Sequence, residues 1–168
     1  MLIRAAKPED FEQIWPIVRA ITTAGDTYAL PRDLDEAAAR QYWMEAPRHT
    51  FVAEQDGRIV GSYYLRTNQA GGGSHVCNCG YAVAAEARGQ GVAGAMCRHS
   101  QALARELGYE AMQFNFVVST NVGAVRLWTS LGFQTVGRLP RAFRHPELGL
   151  VDALVMYKWL GDSTGDSA

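Results

Sequence analysis

The sequence predicts a single domain of the mixed α/β class, and three observations support this prediction. The chain has 168 residues, 48% of them hydrophobic, which suits one globular domain with a sizeable core. Apolar residues follow the strand period in some segments and the helix period in others. A glycine-rich turn lies between a strand-like and a helix-like segment, and a further strand follows, which predicts one βαβ unit.

The first half of the chain is predicted to form two helices and a hairpin after a short apolar start. Phe11, Ile14 and Val18 recur on one face of the first helix. Asp33 is suited to cap the second helix. Asp56-Gly57 is a typical hairpin turn. The predicted segments are an apolar start at 2–5, a helix from about 11 to 21, a loop at 22–32, a helix ending near 46–47, and strands at 49–54 and 58–65.

The second half is predicted to alternate strands and helices after a glycine-rich loop. Gly108 and Gly132 follow helix-like segments and are suited to end them. The polar residues 161–168 are predicted to be a disordered tail, which leaves 1–160 as the domain. The predicted segments are a loop at 68–74, strands at 75–84 and 111–118, helices at 91–107 and 121–131, and final strands at 134–138 and 151–159.

The charge and the cysteine content exclude several classes of protein. A formal net charge of -1 gives no broad attraction to nucleic acid or to a membrane surface. The sequence has no run of 18 apolar residues and begins without a signal-peptide pattern. Its three cysteines have no disulfide-framework spacing. We therefore expect a cytoplasmic protein with free thiols and with no nucleic-acid or membrane partner.

The segment 88–94, Arg-Gly-Gln-Gly-Val-Ala-Gly, is the strongest local signal for a ligand. Glycines at a strand-to-helix junction permit positive φ, and the first helical turn offers free N–H groups to an anion. Arg88 adds a positive charge beside them. A nucleotide P-loop would need Lys and Ser or Thr after the glycines. A dinucleotide fingerprint also matches, with Glu106 and Glu110 downstream, although it is expected near the start of a βαβ domain.

Two motifs together resemble those of the GCN5-related N-acetyltransferase (GNAT) superfamily. Arg88 to Ala93 matches the acyl-CoA pyrophosphate motif Q/R-x-x-G-x-G/A, and Asn121 to Phe133 is similar to N-x-x-A-x-x-L-Y-x-x-x-G-F. The resemblance covers about residues 1–160. It implies a mostly antiparallel, twisted central sheet with splayed middle strands, flanked by helices, and acetyl-CoA as co-substrate.

The resemblance implies a set of cofactor-binding residues. Main-chain groups near Tyr81 and Val83 are expected to pair with the pantetheine amides, and Asn121 to contact the same arm. The alternative for Asn121 is a helix N-cap, and the two roles are compatible. Main-chain amides of the glycine-rich segment are expected to hold the pyrophosphate: Arg88, Gly89, Gln90, Gly91, Val92, Ala93 and Gly94.

Trp128 departs from the family pattern, which has Tyr at this place. That Tyr is often assigned as the acid that protonates the leaving thiolate, and an indole N–H has no useful acidity. The acid role therefore does not carry over to Trp128. We expect Trp128 to pack against the pantetheine or in the core, and we assign no catalytic residue.

Two asparagines lie in strand-like segments where apolar residues are expected, and each must find hydrogen-bond partners. Phe114-Asn115-Phe116, Asn121 and Asn78 together are similar to acetyltransferases that act on proline analogues such as azetidine-2-carboxylate. This narrower resemblance implies that Asn78 meets the acceptor and that Asn115 lines the acetyl-CoA side. The alternative is that both are structural amides.

Two further groups of residues are candidates, one for the acceptor site and one for a metal site. The loop that holds Asp26 and Tyr28 borders the cleft in the family, so both are acceptor-site candidates, with an ordinary turn as the alternative. His75, Cys77 and Cys79 alternate along a strand, and about 6.6 Å between successive side chains on one face is too far for one tetrahedral zinc. No metal is predicted.

The expected function is acetyl-CoA-dependent N-acetylation of a small-molecule amine, such as an amino acid or a proline analogue, by direct attack. Acetylation of a protein N-terminus or lysine is an alternative, and so is a non-catalytic acyl-CoA-binding module. A homodimer is left open.

Overall fold

The computed structural model describes residues 1–161, in which seven strands and four helices form one mixed α/β domain. The prediction of the fold class is confirmed. Residues 162–168, where most of the predicted tail falls, lie outside the described part. The strands are β1 (Leu2–Ala5), β2 (His49–Gln55), β3 (Arg58–Thr67), β4 (Val76–Val83), β5 (Ala111–Val118), β6 (Gln134–His145) and β7 (Gly149–Trp159). The helices are α1 (Phe11–Ala24), α2 (Glu36–Met44), α3 (Val92–Glu106) and α4 (Val122–Ser130).

The seven strands form one sheet in the order β1-β2-β3-β4-β5-β7-β6. All neighbouring strands run antiparallel except β4 and β5, which are parallel and are connected through α3. The predicted βαβ unit is therefore present, and it lies at the middle of the sheet. Helices α1 and α2 pack on one face and α3 and α4 on the other, with the core on both sides of the sheet.

Local chemistry explains most element boundaries. Asp56 and Gly57 both have positive φ, 51° and 76°, which is the geometry of the type I′ turn predicted for the β2–β3 hairpin. Helix α2 is capped by Asp35, whose carboxylate accepts the Ala38 N–H at 2.8 Å. The predicted cap, Asp33, was therefore wrong by two residues.

Two segments differ from the sequence-based expectation. Strands β6 and β7 form a hairpin longer than the predicted segments 134–138 and 151–159, because β6 continues to His145 and β7 begins at Gly149. The pattern hid this strand because residues 134–145 are mostly exposed and contain Pro140, and because the pairing shifts between Leu139 and Phe143. The glycine-rich segment after β3 contains a short 3₁₀ turn at 71–73.

None of the helices within residues 1–161 combines the length and the apolarity that a bilayer-spanning segment requires.

Candidate active site

The two middle strands pair over only two residues and then separate. Val76 and Cys77 of β4 pair with Ala111 and Met112 of β5, although both strands continue for several residues. The Asn78 side-chain amide donates to the Gln113 carbonyl at 2.9 Å, at the point where the strands part. In a continued parallel ladder that carbonyl would accept a backbone N–H from β4. The Asn78 side chain therefore replaces the next backbone hydrogen bond of the ladder, and the strands diverge beyond it.

The hydrogen-bond alternation of β4 determines which main-chain groups face the gap between the strands. The Ala84 N–H donates to Val60, and Val76 accepts from the Asn68 N–H, so the even-numbered residues of β4 bond to β3. In an antiparallel pair the intervening residues point the other way. The N–H and C=O groups of Tyr81 and Val83 consequently face the gap. These are the two residues predicted to meet the pantetheine arm, a contact that remains a prediction.

A cavity of about 780 Å³ follows this gap through the sheet. Segments 88–89 and 91–94 line one part of it, and Asn78 with Tyr64 and Arg66 lines another. The predicted candidates Asp26, Tyr28, Asn115, Asn121 and Trp128 all line the same cavity, whereas Gln90 does not. Residues from both halves of the chain are thus brought to one space.

The glycine-rich segment has the geometry of an anion cradle. Gly89 and Gly91 have φ of 74° and 82°, a region that L side chains rarely adopt. The first helical bond of α3 runs from the Ala95 N–H to Gly91, so the N–H groups of residues 92–94 have no intrahelical acceptor. Gln90 turns away and donates its side-chain amide to the Glu86 carbonyl at 2.8 Å. The exposed Arg88 side chain forms no ion pair with a carboxylate of residues 1–161.

Trp128 packs in an aromatic cluster on the α3–α4 face of the sheet. Its ring centroid lies 5.0 Å from Tyr81 and 5.2 Å from Phe114, and its exposed fraction is 8%. The Tyr81 hydroxyl is hydrogen-bonded to Ser100 at 2.7 Å, and burial raises its pKa well above the ordinary value. Trp128 lies both in the core and at the cavity wall, and its contact with the pantetheine remains a prediction.

Asn121 is the N-cap of α4. Its side-chain oxygen accepts the Ala124 N–H at 3.3 Å, and the residue also lines the cavity. The capping alternative is therefore realised, and the contact of Asn121 with the cofactor remains a prediction.

A group of tyrosines encloses the cavity on the α1–α2 face. The Tyr28 hydroxyl donates to the Tyr81 carbonyl at 3.0 Å, which anchors the loop after α1 to β4. Burial raises the pKa of Tyr28, so this hydroxyl stays protonated at neutral pH and remains a donor. The hydroxyls of Tyr42 and Tyr64 are 3.0 Å apart, and burial also raises the pKa of Tyr64. The half-buried Asp26 lines the same region.

Asn115 lies on this same face and has its own partners. It accepts from the Gln113 side chain at 2.9 Å and donates to the Asn68 side chain at 2.7 Å. The register of β5 against β7 shifts between Phe114 and Val117, a bulge that changes the local direction of side chains. Asn115 is thus hydrogen-bonded as a structural amide and also borders the cavity. Its predicted contact with the acetyl-CoA side remains a prediction.

Sequence reasoning missed Arg66, Tyr42 and Tyr64, which line the acceptor-side cavity. For Tyr64 and Arg66 the signal lay in the hairpin: once Asp56-Gly57 fixes the β2–β3 turn, these two residues, two apart in β3, share one face of the strand. The register pairs Arg66 with Asn78 and Tyr64 with Gly80, so these positions share the face of the sheet that carries Asn78.

The cysteine-rich strand contributes no metal cluster in the described residues. Cys77 and Cys79 are buried and His75 is exposed, and no group of three His, Cys, Asp or Glu within residues 1–161 could hold an ion. Burial raises the pKa of Cys79 well above the ordinary value, which keeps it a neutral thiol.

Comparison with known proteins agrees with this geometry. Residues 12–133 match the model of the Acetyltransferase (GNAT) family. The chain belongs to the GNAT family. The resemblance based on the two motifs is thereby confirmed, as are the class of acetyltransferase and the family's co-substrate, acetyl-CoA.

Individual relatives support the same assignment. The N-acetyltransferase aca1 of Schizosaccharomyces pombe is 32% identical over 98 residues, which are 58% of this chain and 47% of the relative. The chain thus matches about half the length of this curated relative. A GCN5-related N-acetyltransferase from Kribbella flavida is 41% identical, with a TM-score of 0.90 over 94% of this chain and 96% of that structure.

A more distant structure shares the fold. A GNAT superfamily phosphinothricin acetyltransferase from Sinorhizobium meliloti, solved in complex with acetyl-CoA, has a TM-score of 0.84 at 21% identity. The match covers 97% of this chain and 90% of that structure.

Proposed function

We propose that this GNAT protein transfers the acetyl group of acetyl-CoA to the amine of a small molecule, such as an amino acid or a proline analogue. The observation that carries the proposal is the continuous cavity between the parted strands. It connects an anion cradle at the start of α3 with a polar, tyrosine-lined space on the opposite face of the sheet.

The residues around the cavity suit acetyl-CoA. Gly89, Gly91 and the first turn of α3 offer main-chain donors for a pyrophosphate, and the dipole of α3 favours the same charge. The Tyr81 N–H and both main-chain groups of Val83 have no strand partner on this side and suit the amides of an extended arm, in the manner of a peptide added to a sheet edge. The Tyr81 carbonyl already accepts from the Tyr28 hydroxyl. The sites therefore follow one another in the order that phosphate and amide groups have along the cofactor.

The acceptor space suits a small amine better than a protein segment. The Tyr28 hydroxyl is bonded to the Tyr81 carbonyl, and the Tyr42 and Tyr64 hydroxyls are bonded to each other, so two pairs of tyrosines that are held in place line this space. Asn78 closes the end at which the strands join. A small amine can occupy this space without displacing those side chains.

When bound, acetyl-CoA supplies a thioester whose carbonyl carbon can accept a nucleophile. The neutral amine of the acceptor attacks that carbon and forms a C–N bond, while the C–S bond breaks and CoA leaves as a thiolate. The proton that the nitrogen loses neutralises the thiolate, so the products are the amide and CoA with a free thiol. The protein contributes positioning of the two reactants and main-chain donors in the gap for the developing oxyanion. Trp128 has no proton to give at neutral pH, so we assign it no acid role.

The test is a thiol-release assay with acetyl-CoA and a panel of amino acids, plain amines and peptides. CoA release that depends on a small amine supports the proposal. Turnover only with peptides would favour acetylation of proteins. Binding of acetyl-CoA without turnover on any amine would identify a non-catalytic binding module and contradict the proposal.

A further inference from the structure

Arg66 is a cation without an anion in the acceptor part of the cavity. Its Nε atom is buried and has no hydrogen-bond partner within residues 1–161, and its side chain forms no ion pair there. Arg66 lines the cavity and lies directly across the β3–β4 ladder from Asn78. An unsatisfied buried donor on a charged group is costly, and proteins usually satisfy it.

A second arginine increases the need for a negative charge. His49 pairs with Leu65 at the start of β2, so Arg48, one residue earlier, lies beside Arg66. The Arg48 Nε is also buried and unpartnered in the described part of the chain. Its guanidinium stacks over Tyr42 at 4.5 Å and over Tyr64 at 5.2 Å. Two neighbouring like charges repel each other, and a bound anion would relieve the repulsion.

We propose that Arg66, supported by Arg48, binds the carboxylate of the acceptor, so that the substrates are amines that carry a carboxyl group. This inference rests on the proposed function and names its substrate class. A guanidinium can donate two parallel hydrogen bonds to a carboxylate, a geometry that an ammonium cannot reproduce. Asn78 lies opposite, and its Nδ2 retains a second N–H beyond the one given to Gln113.

The anion at Arg66 is distinct from the cofactor pyrophosphate. Asn78, the strand partner of Arg66, lies five residues before Val83, the last residue of β4, and the anion cradle begins later still. Five strand residues span about 16 Å. Arg66 is also on the face of the sheet with Tyr42 and Tyr64, whereas α3 is on the opposite face. The site at Arg66 is therefore too far from the cradle at the start of α3 to bind the same pyrophosphate, and we assign it to the acceptor.

The experiment compares azetidine-2-carboxylate with azetidine and with azetidine-2-carboxamide. For Arg66→Met we expect kcat/KM toward the carboxylate to fall about 10- to 150-fold, the range for losing a hydrogen bond to a charged group. The other two acceptors and the KM for acetyl-CoA should change less than about threefold, since they make no use of the charge. Arg66→Lys should recover only part of the loss, because the ammonium lacks the fork. Arg58→Met, an exposed arginine on the same strand, is the matched control.

Binding supplies a second readout. In the presence of CoA, azetidine-2-carboxylate should raise the melting temperature of the wild-type protein more than azetidine does, and Arg66→Met should remove that difference. Equal losses for all three acceptors, or no loss for the carboxylate, would overturn the assignment. If the wild-type protein acetylates plain amines but neither binds nor acetylates any carboxylate-bearing amine, the inference fails while the proposed acetyltransferase function stands.

Discussion

Trp128 tests whether the reaction here needs a side-chain acid. Trp128→Phe keeps an aromatic ring against Tyr81 and Phe114, so the cluster should persist. We expect kcat to stay within about tenfold of wild type, far from the 10²- to 10⁴-fold typical of a lost general acid or base. The measurement is steady-state thiol release together with a melting curve.

Trp128→Tyr is the informative companion variant. It restores the residue that the family usually has, with a hydroxyl close to the cavity. A large rise in kcat would show that a general acid at position 128 accelerates the reaction and that the wild-type enzyme works without one. A loss above 10³-fold in Trp128→Phe, in a folded protein that still binds acetyl-CoA, would instead require a direct chemical role for the indole.

Asn78 has an observed structural contact and a proposed contact with the acceptor, and two measurements on one variant can separate them. Asn78→Ala removes its donor to the Gln113 carbonyl and should lower stability by about 1–3 kcal/mol, the cost of an unsatisfied buried group. If Asn78 also meets the acceptor, the KM for the amine should rise about tenfold or more, with little change in the KM for acetyl-CoA. Urea unfolding and the two KM values are the measurements.

Asn78→Asp is the matched variant, since it keeps the shape but places a carboxylate beside the Gln113 carbonyl. It should be less active on a carboxylate-bearing acceptor than on a plain amine. If either variant raises the KM for the amine and the KM for acetyl-CoA equally, Asn78 only maintains the geometry at the point where β4 and β5 separate.

Single residues also show where sequence reasoning succeeds and fails. Asn121 and Tyr81 were singled out because they belong to a motif or to the strand before it, and both line the cavity. Their contact with the cofactor remains a prediction. Arg66 carries no motif, and its importance depends on lying opposite Asn78 and beside Arg48. Such pairings between distant segments become visible only when the register is known.

The proposed cofactor contact at the start of helix α3 can be tested by comparing a substitution there with the same substitution at the end of the helix. Gly91 and Gly108 flank this helix with φ of 82° and 85°, and a Cβ atom at either place would meet nothing within 4 Å. Acetyl-CoA at 100 times its Kd should stabilise the wild type by ~2.7 kcal/mol, or ~5–10 °C in Tm. Gly91→Glu should abolish that shift, because a carboxylate would occupy the cradle and repel the pyrophosphate.

Gly108→Glu is the control for backbone strain and added charge. Both variants should lose a similar amount of intrinsic stability, since each places a side chain at positive φ. Only Gly91→Glu should lose the acetyl-CoA shift. A shift of wild-type size in Gly91→Glu would remove the start of α3 from the cofactor site.

Element boundaries were predictable wherever a specific residue marks them. The β2–β3 turn and the end of α3 follow from Asp56-Gly57 and Gly108. Strand β6 was underestimated because it lies at the sheet edge, is largely exposed and lacks alternation. The cap of α2 was misplaced because Asp33 and Asp35 are equivalent in sequence, and only the helix geometry selects between them.

An ion network fastens the first strand of the molecule to the segment before α1. Asp10 accepts from the Arg4 guanidinium at 2.7 Å and from the Lys7 N–H at 2.6 Å, and Arg4 also binds Glu54. The hydrogen bond from Arg4 is the main cause that lowers the pKa of Asp10 below its ordinary value. The carboxylate form is therefore favoured in the folded protein.

The stability supplied by Asp10 should depend on pH. Because its pKa is lower in the folded than in the unfolded protein, the contribution is fully present above about pH 4 and is lost as the pH falls through the folded pKa. Asp10→Asn should cost ~1–2 kcal/mol at pH 7, and the difference from wild type should shrink under acid conditions. Urea unfolding at several pH values measures this.

Glu54→Gln is the control for that experiment. Glu54 binds the same arginine, but its side chain is more exposed, 28% against 9% for Asp10. The substitution should therefore lower the free energy of unfolding by less than ~1 kcal/mol. A pH-independent difference for Asp10→Asn would mean that shape, rather than charge, accounts for its effect.

The two-residue pairing of β4 with β5 makes the sheet, in mechanical terms, two plates on a short hinge. Strands β1–β4 form one plate and β5–β7 the other, and between them the continuous backbone ladder covers only Val76–Cys77 and Ala111–Met112. A ligand whose amides bond to the open edge would act as a missing strand and bridge the plates. Substrate binding would then complete the architecture, and the amides of Tyr81 and Val83 should exchange their hydrogens slowly only while the cleft is filled.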